Sequence, residues 1–151
     1  MPPSGSVESN CSVSDKTRVS IQLVVSDLGV TEAFYGGILQ MPVERALTSP
    51  GAPEHLVMAQ DGWTVIFVEE SAVLHAHAIL EERLTAFPKG IGMTIHFRVD
   101  EIEEIYDALL DEELEILYPL ELKPYRVFEL WCFDPDGYLV VLEQPLETIT
   151  G

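Results

Sequence analysis

Val19-Ser20-Ile21-Gln22-Leu23-Val24-Val25 and Met93-Thr94-Ile95-His96-Phe97-Arg98-Val99 are the two stretches on which the reading of this chain turns. Both are short, mostly apolar and rich in β-branched residues, and they read as strands. They align position by position at an offset of 74 residues, Ser20 on Thr94. Farther along, Asp61-Gly62-Trp63-Thr64-Val65-Ile66-Phe67 aligns with Asp136-Gly137-Tyr138-Leu139-Val140-Val141-Leu142 at an offset of 75, Gly62 on Gly137. Two separate matches at nearly one offset point to an internal duplication.

Working outward, Ser26 and Asp27 offer turn or cap chemistry after the first strand. A helix is predicted over Thr31 to Leu39, with Phe34 and Ile38 on one face and Gly36-Gly37 weakening its last turn. The apolar runs Glu54 to Gln60 and Trp63 to Glu69 flank Asp61-Gly62, a strong hairpin signal because both turn positions need positive φ. After the second copy of the first strand, Ile102, Ile105, Tyr106, Leu109 and Leu110 predict a helix with one apolar stripe and an acidic opposite face. The repeated unit is therefore a strand, a helix, then further strands, with modules over 18–70 and 91–146 and a connector over 71–90. Residues 1–17 carry no periodicity and read as a flexible arm.

The chain has 151 residues, with 26 Asp and Glu against 8 Lys and Arg, for a net charge of −18. That length suits one domain made of two halves, and 47% apolar residues suffice for a buried core. So acidic a surface repels nucleic acid and anionic membrane. No apolar stretch reaches the roughly 18 residues of a membrane span, and the first residues lack the basic start and apolar core of a signal peptide. Two cysteines, Cys11 and Cys132, make neither a disulfide framework nor zinc-ligand spacing, so a cytoplasmic location is expected.

Val24-Val25-Ser26-Asp27-Leu28 leading to Phe34-Tyr35, then Arg98-Val99-Asp100, then Asp134-Pro135-Asp136-Gly137-Tyr138 before a final apolar strand resemble the vicinal oxygen chelate superfamily. That superfamily includes glyoxalase I, extradiol dioxygenases, fosfomycin-resistance enzymes and bleomycin-resistance proteins. The resemblance covers Arg18 to Pro145. It implies an α+β fold of two βαβββ modules whose sheets curl into an open, barrel-like curved sheet around a ligand site, commonly completed by homodimerisation. In metal-using members the ligands sit early on each first strand and in each last strand. Carried over, those positions are Ser20, Thr94, Ile66 and Val141, none of them a usual divalent-metal ligand. The resemblance therefore implies a protein without the usual metal site and without a cofactor. A shifted site is the alternative, since side chains two positions on face the same way, about 6.6–7 Å along the strand. Those positions carry Gln22, His96, Val68 and Glu143, whereas Glu69 falls on the opposite strand face by the internal alignment.

Among the remaining residues, His96 reads either as a histidine satisfied within the sheet or as a ligand contact or acid–base group. Glu143 reads as a rim carboxylate, a cation contact or a base. Val127, Glu129, Trp131 and Phe133 share one strand face by alternation, and an indole beside a carboxylate suits a cationic organic ligand. Cys132 then faces the helix layer as packing. His75 and His77 read as an exposed connector more readily than as metal ligands. The ten acids between Asp100 and Glu121, with no base among them, form a solvated face. Arg126, beside Tyr125, reads as an anion clamp or as the partner of a surface carboxylate.

The expectation is a metal-independent protein that binds a small organic, cationic ligand through Ser20, Gln22, Thr94, His96, Glu129, Trp131 and Glu143, as a homodimer. The alternative is a metal-dependent lyase, isomerase or transferase using Gln22, His96 and Glu143. A third reading is a metal-free acid–base enzyme using His96 and Glu143.

Overall fold

The computed structural model describes residues 19–60 and 62–146. The predicted arm and Asp61 of the first hairpin lie outside the described residues. The chain divides between Thr85 and Ala86 into two compact units. Each carries a four-stranded sheet in a strand, helix, three-strand order, so the fold is mixed α+β with two βαβββ modules, as the duplication implies.

In the first unit β1 (Val19–Val25) is followed by the helix α1 (Leu28–Glu32), which widens into a π-helical turn at Ala33–Ile38. Then come β2 (Val43–Ala46), β3 (His55–Gln60) and β4 (Trp63–Glu69). The sheet order is β1-β4-β3-β2, with β1 parallel to β4 and the other pairs antiparallel. The helix starts three residues before the predicted Thr31. Asp27 is the reason: its carboxylate accepts from the Val30 amide at 3.0 Å, and its own carbonyl accepts from Thr31, which closes the first turn early. Leu23, Phe67 and Leu56 stand side by side across the sheet on the face that meets the helix, and the Tyr35 ring packs 4.8 Å from Phe67. All four are buried, each such side chain being worth about 1.5–3 kcal/mol. The connector is helical, with α2 (Glu70–Ala76), a single tight turn at Ala78–Leu80 and α3 (Glu81–Leu84).

The second unit contains β5 (Thr94–Arg98), α4 (Ile102–Asp111), β6 (Ile116–Leu122), β7 (Val127–Phe133) and β8 (Leu139–Pro145), in the sheet order β5-β8-β7-β6. Of the predicted apolar stripe on α4, Ile102, Ile105 and Leu109 are buried, whereas Leu110 is half exposed. The Asp-Pro-Asp-Gly turn is closed by the Asp134 carboxylate, which accepts from the amides of Asp136 at 2.8 Å and Tyr138 at 3.0 Å. Gly137 sits at φ 92°, and a Cβ there would lie 2.5 Å from the Pro88 Cβ, so this position requires glycine for both conformation and space.

One device is repeated in both units. The last strand of each ends in a side chain that holds the start of that unit's helix. Glu69 accepts from the Leu28 amide at 3.1 Å, and Gln144 accepts from the Ile102 amide at 2.8 Å. These pairs are related by the offsets found in the sequence, and they put Glu69 on the helix side of its sheet, as the internal alignment requires. Gln144 is 3% exposed, so its loss would leave a buried N–H without an acceptor. Gln144→Leu is expected to cost about 1–3 kcal/mol in urea denaturation, while Gln144→Glu, which keeps an acceptor, costs less. Equal stability of wild type and Gln144→Leu would show that the bond contributes nothing.

Candidate functional site

Because Gln144 is fixed against the helix, the alternation of β8 turns Glu143 to the other face of the second sheet. Leu130, Cys132, Val140 and Leu142 join Gln144 on the helix side and are fully buried. There burial, with a smaller push from Asp134, drives the Cys132 thiol up to about 12, which suits inert packing. The opposite, open face carries the candidate residues.

The strand register arranges that face in two rows. His96 pairs with Val141, Val141 with Trp131 and Trp131 with Tyr118. In the next row Arg98 pairs with Glu143, Glu143 with Glu129 and Glu129 with Glu121. Thr94 lies two residues before His96 on the same strand face and is exposed. The structure thus brings together four residues singled out in the sequence: His96, Glu129, Trp131 and Glu143. Ser20 and Gln22 are exposed on the first sheet, on the β1 face opposite Leu23 and Val25.

Glu129 is the centre of the cluster. It is 9% exposed, and each of its oxygens receives a hydrogen bond, from the Tyr125 hydroxyl at 2.6 Å and from the Trp131 indole N–H at 3.0 Å. Burial pushes its carboxyl up. The Tyr125 and Trp131 bonds, with the nearby Lys123 and His96, outweigh that and hold it below the ordinary carboxylate value. Tyr125 is moved in the complementary direction: its bond to Glu129, then burial, raise the phenol above its usual value, so it stays a donor. Beside this group His96 Nδ1 lies 3.6 Å from Glu143 Oε1, at ion-pair distance, and Lys123 is bonded to Glu121 at 2.6 Å. The Trp131 ring meets Tyr118 edge to face at 5.3 Å.

Tyr118 and Tyr125 are the members that sequence reasoning missed. Tyr125 reaches Glu129 because the β6–β7 turn doubles back through Arg126 at φ 64°, a conformation that no residue type at that position announces. Tyr118 joins because β6 is irregular, with register shifts on either side of it.

At the four positions that the resemblance assigns to metal, the side chains do not suit a divalent cation. Ser20 and Thr94 offer only hydroxyls, Ile66 is half-buried on β4, and Val141 is fully buried on β8. Among the described residues no three His, Cys, Asp or Glu side chains group as a metal ion requires. His75 lies on α2 and His77 just after it, both exposed.

A carboxyl whose folded value is depressed stabilises the fold above its ordinary value, here 4.5, and that contribution is lost as pH falls through the folded value. Removing the hydroxyl in Tyr125→Phe should therefore raise the Glu129 titration midpoint, followed by carbon NMR of its side-chain carboxyl. An unchanged midpoint would show that Tyr125 does not hold the charge.

The family model for the Glyoxalase/Bleomycin resistance protein/Dioxygenase superfamily matches residues 17–142. None of the curated proteins matches the chain. Among solved structures, a glyoxalase/bleomycin resistance protein/dioxygenase from Nocardioides is 20% identical at a TM-score of 0.58, covering 93% of this chain and 90% of its own. A family enzyme from Burkholderia phytofirmans PsJN is 13% identical at a TM-score of 0.61, covering 84% and 97%. A hypothetical protein from S. aureus is 14% identical at a TM-score of 0.62, covering 82% and 90%. At these identities the likeness shows the fold alone. With the duplicated βαβββ module and a family match over most of its length, the chain belongs to the glyoxalase/bleomycin resistance protein/dioxygenase superfamily.

Proposed function

We propose that this protein binds a small organic cation, without a divalent metal, on the open face of its second sheet. The observation that carries the reading is Glu129: a carboxylate 9% exposed, hydrogen-bonded by two aromatic side chains and held ionised. A dehydrated anion between aromatic rings attracts a cation with an apolar body by charge and by ring contact together. Glu143, 34% exposed and opposite Glu129 in the sheet, adds a second carboxylate. His96 and Trp131 complete the contact surface, and Thr94 offers a hydroxyl next to it. Ser20 and Gln22 are proposed as ligand contacts on the resemblance alone. The absence of the usual metal site rests on the residues at the four superfamily positions. The same reading takes the protein as a cytoplasmic homodimer, on its cysteine usage and on the resemblance respectively.

One observation favours a second reading, a metal-assisted enzyme. His96 and Glu143, two ordinary metal donors, stand 3.6 Å apart. Its third donor in the sequence reading is Gln22, a weak ligand, which makes it the lesser proposal.

Calorimetric titration with 2-naphthylmethylamine, 2-naphthylmethanol and 2-naphthoate, which share one apolar body, separates charge from shape. The amine should bind about tenfold or more tighter than the alcohol, a difference of about 1.4 kcal/mol, and the carboxylate should bind least. Glu129→Gln should remove the preference. Parallel titration of untagged protein with Ni²⁺, Zn²⁺ and Mn²⁺ should show no stoichiometric uptake. One tightly bound equivalent that His96→Ala abolishes would replace this reading with the metal-assisted one.

A further inference from the structure

The manner in which Glu129 is held narrows the class of cation, and the inference rests on the binding reading above. Each oxygen of this carboxylate already accepts a hydrogen bond from the protein, one of them short at 2.6 Å. Both donors are neutral. Of the nearby basic side chains, Lys123 is bonded to Glu121 at 2.6 Å and His96 lies 3.6 Å from Glu143, while Arg98 stands opposite Glu143 in the sheet. Among the described residues no cationic side chain makes a salt bridge to Glu129 itself. Its charge thus has no salt-bridge partner, while about half of the roughly four acceptor sites of a carboxylate are taken.

The surroundings of that charge are aromatic. Trp131 and Tyr125 bond to Glu129 directly, and Tyr118 packs on Trp131 at 5.3 Å. Tyr118 is 54% and Tyr125 60% exposed, so both are open to solvent, Tyr125 bonded to the buried anion and Tyr118 packed on the Trp131 ring. Aromatic surface left open on a sheet face next to a dehydrated carboxylate is the chemistry that receives a cation with a greasy exterior.

A primary ammonium is poorly matched to such a place. It is strongly hydrated and carries three donors that need acceptors when water is removed. A tertiary or quaternary ammonium spreads its charge over methyl groups, is weakly hydrated, and needs ring contact and a nearby negative charge rather than acceptors. From the two hydrogen bonds already held by Glu129, the rings of Tyr125 and Trp131 that make them and the Tyr118 ring packed on Trp131, we infer that the ligand class is an N-methylated ammonium carried on a flat apolar body. Tyr118 and Trp131 set the preference for methylation, and Glu129 sets the preference for charge.

The test compares 2-naphthylmethylamine with its N,N-dimethyl and N,N,N-trimethyl derivatives by calorimetric titration of the full chain. Affinity should rise with each step, the trimethyl compound binding about tenfold or more tighter than the primary amine. Tyr118→Leu removes an exposed ring, and its circular dichroism should match wild type. In this variant the trimethyl advantage over the primary amine should shrink to under about threefold. A primary amine that binds as tightly as the trimethyl compound would overturn the inference and leave the cation-binding reading standing. If no cation binds better than 2-naphthylmethanol, or none of the compounds binds, the reading itself fails and the inference falls with it.

Discussion

The hydrogen bond from the Ile102 amide to Gln144 decides which way the last strand faces, and through it which residues the second sheet offers to solvent. A strand has a period of two, so pinning one residue to the helix sends its neighbours to the other side, and a slip by one position would exchange the faces. With Gln144 buried at the start of α4, Glu143 must point away from the helix. The parallel partner β5 and the antiparallel β7 follow in register and bring His96, Trp131 and Glu129 to the same face. The first unit uses Glu69 and Leu28 in the same way. Duplication has kept the mechanical role while the residue that performs it differs between the two copies.

The open face of the second sheet carries a charge arrangement that folding alone does not favour. Glu143, Glu129 and Glu121 are successive neighbours across three strands. Like charges directly opposite one another are destabilising. Lys123 relieves Glu121 and His96 approaches Glu143, but Glu129 is held mainly by the Tyr125 and Trp131 dipoles, with smaller help from Lys123 and His96. Hydrogen bonds to a charged group contribute about 1.5–3 kcal/mol each, and with the nearby Lys123 and His96 they hold the Glu129 carboxyl below its ordinary value against burial. A site of this kind is organised before its cation arrives, so little reorganisation is needed on binding.

Much of the fold was readable because its signals are local or periodic. The strand repeat at offset 74, the Asp-Gly turns and the apolar stripe of α4 each follow from alternation, positive φ or helical spacing. Where the reading was off, the deciding contact was less local. The first helix begins at Leu28 because Asp27 caps it, although Gly29 and Val30 have weak helix propensity and Thr31 was the natural place to start. Strand β6 carries Pro119 and an irregular register, so its sequence gives a poor strand signal. In the site, the shared face of Glu129 and Trp131 followed from alternation, and His96 and Glu143 followed from the internal repeat. Tyr125 and Tyr118 did not, since a turn at φ 64° and a bulged edge strand bring them in.

The most direct measurement uses the Trp131 indole N–H, which donates to Glu129 and so reports on the charge at the centre of the site. The chain contains two tryptophans, Trp63 and Trp131, so a Trp63→Phe variant leaves a single indole resonance in a nitrogen-labelled sample. Titration with 2-naphthylmethyltrimethylammonium should shift that resonance saturably, together with the amides of His96 and Tyr125, while the buried residues of α4 stay in place. An indole resonance that does not move while the compound binds would place the ligand elsewhere and contradict a cation site built on Glu129.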